Sequence, residues 1–267
     1  MRSQLAAARF GLAALVLAAL AAGGAIAAVR MGWMAYADGY RLMYAVVGLG
    51  FAALAAAILW LAKALKHNDG AGRKLGLPAL FGSLLLLYPP LSAFLDSLSA
   101  PPIHDVSTDT ANPPQFSALL KFRGPGANSP EFDGDAMIPY RLQNPTANDS
   151  GMHPLSFVLH DRYYDLLKPR AGLVVNASDP VAVFFWRDFE AMKRTGWTIV
   201  DFNDKTRRIE ATRASFWFGR ISDIVVEARP SGRGARTVVR SQSRYDQVDN
   251  GFNADTVERY LATLRGG

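Results

Sequence analysis

The stretch Leu98-Ser99-Ala100-Pro101-Pro102-Ile103-His104-Asp105-Val106-Ser107-Thr108-Asp109 divides the chain into two unlike parts. Upstream of it the residues are overwhelmingly apolar, and downstream they are mixed and polar. Two adjacent prolines stop a helix here, because proline lacks an N–H and disfavours the helical conformation of the residue before it. Residues 1–98 therefore read as one part and residues 99–267 as another.

Upstream, three uncharged apolar segments run from Phe10 to Val29, Leu42 to Ala62 and Leu75 to Leu95. At about 1.5 Å of rise per residue each is long enough to cross a hydrocarbon core about 30 Å thick. Soluble packing would need three successive helices apolar on every face, so a membrane anchor is expected. Arg2, Arg9 and Ala25-Ile26-Ala27 also fit a cleavable signal peptide, but the apolar run is long and two more spans follow. An uncleaved first span is the favoured reading.

Orientation follows from Lys and Arg in the short flanks. Arg2 and Arg9 precede the first span and Lys63, Lys66, Arg73 and Lys74 lie between the second and third, whereas the first loop offers Arg30 and Arg41 offset by Asp38. The N-terminus is expected in the cytoplasm and the C-terminal domain outside, in the periplasm of a bacterium whose inner membrane holds the spans. Pro78 and Tyr88-Pro89-Pro90 predict a kink that ends the third helix near the interface. Ala14, Ala18, Ala22, Gly23 and Ala27 in the first span, with Gly48, Gly50 and Ala53 in the second, predict close helix contacts.

The formal net charge of +6 follows the same division. Residues 1–98 hold 8 Lys/Arg against 3 Asp/Glu, and residues 99–267 hold 21 against 20. The basic balance belongs to the anchor, so a nucleic-acid partner is not expected. With no cysteine, disulfides, thiolate zinc sites and thiol catalysis are excluded together.

In the C-terminal part, Asp179-Pro180 reads as an N-cap followed by proline, and Val181, Phe184, Phe185, Phe189 and Met192 recur at helical spacing until Thr195-Gly196. Residues 197–202, 207–214, 221–228 and 236–244 read as four strands, and Asn253 as the cap of a last helix with Val257, Tyr260, Leu261 and Leu264 on one face. The lead-in through Pro113-Pro114 reads as extended chain and residues 122–152 as irregular loop. The expected fold class is α+β: a three-helix transmembrane anchor, then an antiparallel sheet of about four strands with flanking helices.

Ile103-His104-Asp105-Val106-Ser107-Thr108-Asp109, Pro113-Pro114-x-Phe116, Ile209-Glu210-Ala211-Thr212, Val239-Arg240-Ser241-x-Ser243-Arg244 and Asp249-x-Gly251-x-Asn253 together resemble the domain of unknown function 1499 family. The similarity spans about residues 100 to 265. It departs from the usual pattern between Phe122 and Met152 and at Asp246-Gln247-Val248. The resemblance implies a bacterial envelope protein behind N-terminal membrane spans and carries no established activity.

Strand alternation puts Val238, Arg240, Gln242 and Arg244 on one face, and Arg208, Glu210 and Thr212 of an earlier strand share a face likewise. That polar face has two readings: solvated cross-strand ion pairs, or a shallow site beneath the lead-in where Arg240, Arg244 and Glu210 meet an anionic group such as a lipid phosphate. His104, Asp105, Asp109 and Ser241 invite a hydrolase reading, weakened because adjacent residues on extended chain project oppositely and Ser241 lies in a strand. His104, His153 and His160 lack metal-site spacing. A structural role is expected instead: His104 and Asp105 pin the lead-in, Asp249 and Asn253 hold the turn before the last helix, and Asp109 and Ser241 belong to the same structural motif. The expectation is a membrane-anchored periplasmic binding or interaction module in envelope maintenance, with no catalytic residue, cofactor or metal. Its partners would be the lipid bilayer and an anionic lipid or another envelope protein. The alternative is a hydrolase or transferase acting on envelope lipid or glycan.

Overall fold

The computed structural model describes residues 2–65, 70–100, 102–139, 151–159, 179–215, 219–232 and 234–266. It falls into two compact units, one built on the residues up to Leu98 and the other on those from Ser99.

The first unit consists of three long helices, α1 (Arg2–Arg30), α2 (Tyr36–Ala64) and α3 (Gly70–Ser99). Their apolar portions Leu5–Arg30, Tyr36–Ala64 and Gly72–Leu98 are each long enough to cross a membrane. α3 does not end at its prolines: Pro78, Pro89 and Pro90 all lie inside it, and it continues to Ser99. Ser92 donates its hydroxyl to the Pro89 carbonyl at 3.1 Å in the turn that follows them. Close approach depends on glycine where helices touch, since a Cβ on Gly76 would overlap the Trp60 indole and one on Gly82 would overlap Leu15. Ala14, Ala18 and Ala53 are buried along these seams, whereas Gly23 and Gly48 face outward.

The second unit is an α+β domain. Its sheet has five antiparallel strands in the order β1-β7-β6-β5-β4, where β1 is Asp105–Ser107, β4 Thr198–Asn203, β5 Arg208–Ala214, β6 Ile221–Ser231 and β7 Gly234–Ser243. The fifth strand is β1, drawn from the lead-in, whose three residues are too short to announce a period-2 pattern. β2 (Met137–Pro139), inside the stretch expected to be loop, pairs antiparallel with β3 (Met152–Pro154), which begins at its end. Residues 140–150 lie outside the described residues.

Helix α4 (Pro180–Thr195) begins where Asp179 accepts the Ala182 N–H at 3.0 Å and ends at Gly196, whose φ of 71° suits a residue without Cβ. Helix α5 (Phe252–Arg265) starts differently from expectation. Its N-cap is Gly251, and the Asp249 carboxylate takes the Gly251 and Asn253 N–H groups at 2.8 and 2.9 Å. Asn253 sits inside the helix and turns its side chain toward the sheet.

Both helices pack on one sheet face, where Ile209, Ala211, Ile224, Val226 and Val239 meet Phe185, Met192, Val257 and Tyr260. The opposite face is covered by the lead-in, through a smaller apolar group of Phe116, Leu119 and Val225. The 3-10 turn Ala118–Phe122 is part of that cover. A sheet coated on both sides explains why its polar residues are buried.

Candidate functional site

The site expected from strand alternation exists as a set of shared positions. Glu210 pairs with Val225 and Val225 with Arg240, so Arg240 and Glu210 flank Val225 on one row of the sheet. The next row carries Asp105, Gln242, Asp223 and Thr212. The surroundings differ from the reading as a solvated surface. The lead-in lies over this face, and Arg240, Glu210, Gln242 and Asp223 have no exposed surface.

Arg240 holds the lead-in from three directions. Its Nε and Nη2 donate to Asp105 Oδ1 and Oδ2 at 3.0 and 2.7 Å, Nη1 to the Pro114 carbonyl at 3.0 Å, and Nη2 also to the Pro130 carbonyl at 2.8 Å. Its guanidinium carbon stands 4.7 Å from the Phe116 ring centre and 5.5 Å from that of Phe132. Gln242 Nε2 donates to Asp105 Oδ2 and to the Ser129 carbonyl, both at 2.8 Å. Burial pushes the Asp105 carboxyl up from its ordinary value, and the Arg240 hydrogen bonds and charge pull it back.

Glu210 works as an anion in a backbone cradle. Its carboxylate accepts the N–H groups of Ser117, Ala118 and Leu119 at 2.9, 3.2 and 2.9 Å, capping the start of the 3-10 turn. Arg244 Nη2 donates to Asp223 Oδ1 at 2.5 Å, and Arg123 Nε from the lead-in reaches Asp223 Oδ2 at 2.9 Å. Arg123 stands over Phe116 at 4.7 Å, as Arg240 does. Asp109 accepts Arg236 Nη2 at 2.6 Å and Arg229 Nη1 at 3.3 Å.

Across β7, Ser241 and Asn253 form a second cluster on the helix side. Ser241 Oγ donates to Asn253 Oδ1 at 2.7 Å, while Asn253 Nδ2 reaches Asp249 Oδ2 at 2.6 Å, Ser243 Oγ at 2.8 Å and the His104 carbonyl at 3.0 Å. Burial raises the Asp249 carboxyl above its ordinary value, opposed by the N–H groups of Asn253 and Gly251. The His104 carbonyl also accepts the Ser243 N–H at 2.8 Å, so His104 joins the cluster through its backbone.

The motif residues thus divide between two clusters on opposite sides of the sheet. Asp105 pairs with Arg240 and Gln242, whereas Ser241 pairs with Asn253, so Asp105 and Ser241 do not converge. Among the described residues no group of three His, Asp or Glu is placed to hold a metal ion. His160, part of the weighed metal set, lies outside the described residues.

A family model described as protein of unknown function (DUF1499) matches residues 105–264. The chain belongs to this family. The DUF1499 match opens at Asp105, the first residue of β1, and closes within α5, so it contains the side chains of both clusters and excludes the three apolar helices. A search of curated proteins returned no match.

Several members of this DUF1499 domain's network escaped the reading of its sequence. Arg123 and Asn128 lie in loop, where no periodicity marks a side chain as buried; Asn128 Nδ2 holds the Ser243 and Asp246 carbonyls at 2.8 and 2.9 Å. Asp223 carried a usable signal, an acid alternating with Val225 in a β-branched strand. Asp188 did too, lying three residues after Phe185 and four before Met192 on the buried face of α4.

Proposed function

We propose that this chain is an inner-membrane protein whose C-terminal domain stands in the periplasm and serves cell-envelope maintenance by binding a partner rather than by catalysing a reaction. The observation that carries the non-catalytic part is the engagement of its polar groups. Asp105, Arg240, Glu210, Arg244 and Asp223 are buried and spend their hydrogen bonds on one another and on the lead-in backbone. Such a network holds a particular fold of the lead-in over the sheet and leaves these groups no substrate-facing role. In this reading Arg240, Arg244 and Glu210 shape the surface instead of meeting an anionic lipid themselves. The partners are the bilayer that holds the spans and an envelope protein or lipid met on the outer surface of the domain. The basic residues between the second and third spans support the external placement.

Placement is tested by fusing alkaline phosphatase and, separately, a green fluorescent protein behind the C-terminus. Phosphatase activity with a dark fluorescent fusion is expected, and the reverse pattern overturns the periplasmic assignment. The non-catalytic reading is tested by His104→Ala and Ser241→Ala in a strain lacking the gene. Complementation equal to wild type is expected, and loss of function in a variant that still folds returns the enzyme alternative.

A further inference from the structure

The core between the helices and the sheet contains a carboxyl group that forms no ion pair among the described residues. Asp188 of α4 is fully buried, and its Oδ1 accepts the Thr237 hydroxyl of β7 at 2.8 Å and the Tyr260 hydroxyl of α5 at 3.1 Å. Tyr260, also fully buried, stands 3.1 Å from the Asp188 carbonyl as well. Three elements therefore meet at one acid, whose Oδ2 is buried with no hydrogen-bond partner among the described residues.

We infer that Asp188 is a proton-operated latch: neutral, it ties α4 to β7 and α5, and ionised, it loosens α4 from both. The asymmetry of its hydrogen bonds is that of a carboxylic acid. Oδ1 takes both as a carbonyl oxygen would, and Oδ2, unpartnered, is the hydroxyl position. A carboxylate there would carry its charge in the apolar core of Phe185, Met192 and Val257, where the Thr237 and Tyr260 hydroxyls favour the charge but do not offset its loss of water.

Among the described residues, few groups act on the pair. From α5 it is Tyr260, held by burial and by Asp188 well above its ordinary value and so a neutral donor. From β7 it is the uncharged Thr237 hydroxyl. The cations belong to α4 itself: Arg187, which lies 5.4 Å over the Phe184 ring, and Arg194, which donates to the Thr263 carbonyl at 3.1 Å. Neither forms an ion pair with the acid, so ionisation is relieved by admitting water when α4 moves. Burial raises the Asp188 carboxyl to about 7, which sets the latch within the range an external compartment visits. The latch does not depend on the periplasmic placement, which only decides which pH it samples.

The experiment is hydrogen exchange with mass spectrometry on the full-length protein in detergent, at about pH 5 and about pH 9 after correction for intrinsic exchange. Wild type is expected to exchange α4 amides about tenfold faster at the higher pH, while Asp188→Asn, which is permanently neutral, shows no such step. Equal steps in both proteins, or none in wild type, overturn the inference. If the Asn variant does not fold, the infrared carbonyl band of a buried neutral acid is followed in wild type and in Thr237→Val. A band that shifts in Thr237→Val and vanishes between the two pH values is expected. A Thr237-sensitive band present at both pH values, or at neither, overturns the latch.

Discussion

Asp105 and Arg240 meet diagonally across the β1–β7 ladder through two parallel hydrogen bonds, Nε to Oδ1 at 3.0 Å and Nη2 to Oδ2 at 2.7 Å. Both side chains are buried, so the Arg240 charge is compensated by Asp105 and the carbonyls of Pro114 and Pro130, and the Asp105 charge by Arg240 and the Gln242 amide. Removing either partner alone leaves an uncompensated buried charge.

Asp105→Ala and Arg240→Ala are each expected to lose about 3–5 kcal/mol of stability in urea titrations of the full-length protein in detergent, followed by tryptophan fluorescence. The double variant Asp105→Leu with Arg240→Met removes both charges together and should lie closer to wild type than either single change. Losses that simply add would show that the two residues do not work as a pair.

Glu210→Gln keeps the shape of the side chain and weakens three charge-assisted hydrogen bonds to Ser117, Ala118 and Leu119. A loss of about 1.5–3 kcal/mol is expected, with faster amide exchange confined first to the 3-10 turn. Unchanged exchange at those amides would contradict the capping role.

Asn253 ties α5 to Ser241, Ser243, Asp249 and the His104 carbonyl, so its loss strands several buried polar groups at once. Asn253→Ala is expected to cost about 2–3 kcal/mol, whereas Ser241→Ala, which removes one hydroxyl, costs about 1 kcal/mol. The order of the two melting temperatures checks this.

In the anchor, Gly76 lies against the buried Trp60 indole, and Gly76→Val forces the helices apart. A loss of about 1–3 kcal/mol in thermal unfolding of the detergent-solubilised protein is expected, partly restored by Trp60→Leu. No rescue would mean that the contact does not limit packing.

Stability should also fall with rising pH in one window. Asp188 is raised to about 7 in the folded domain, above its unfolded value of 3.8, so folding takes up a proton between these values. Its contribution is fully present below about pH 4, declines by up to about 1.4 kcal/mol per unit, and is gone above about pH 7. Urea titrations at several pH values, compared with Asp188→Asn, isolate this slope. A wild-type curve parallel to the variant's would contradict it.

Much of this was legible in the chain because local patterns are decided by neighbours in sequence. Spans of apolar residues, the Asp179-Pro180 start and Gly196 stop of α4, and the alternation that placed Arg240 with Glu210 all depend on a few adjacent residues. What was misread depends on distant ones. One of the two readings of the polar sheet face left it solvated, because nothing in residues 236–244 reveals that Phe116 and Leu119 cover it. Asn253 looked like a cap because its sequence position suits one, whereas Asp249 supplies the carboxylate.

Taken by itself, the order of residues determined three spans long and apolar enough for a bilayer, an α+β domain after them and the face each strand residue occupies, since hydropathy and period-2 geometry are properties of short segments. Only the tertiary structure decided that β1 completes the sheet, that Arg240 pairs with Asp105 135 residues away, and that Asp188 lies beneath Tyr260. Those pairings arise from burial, which is set when remote segments pack and strip water from charges that the chain alone shows as merely polar.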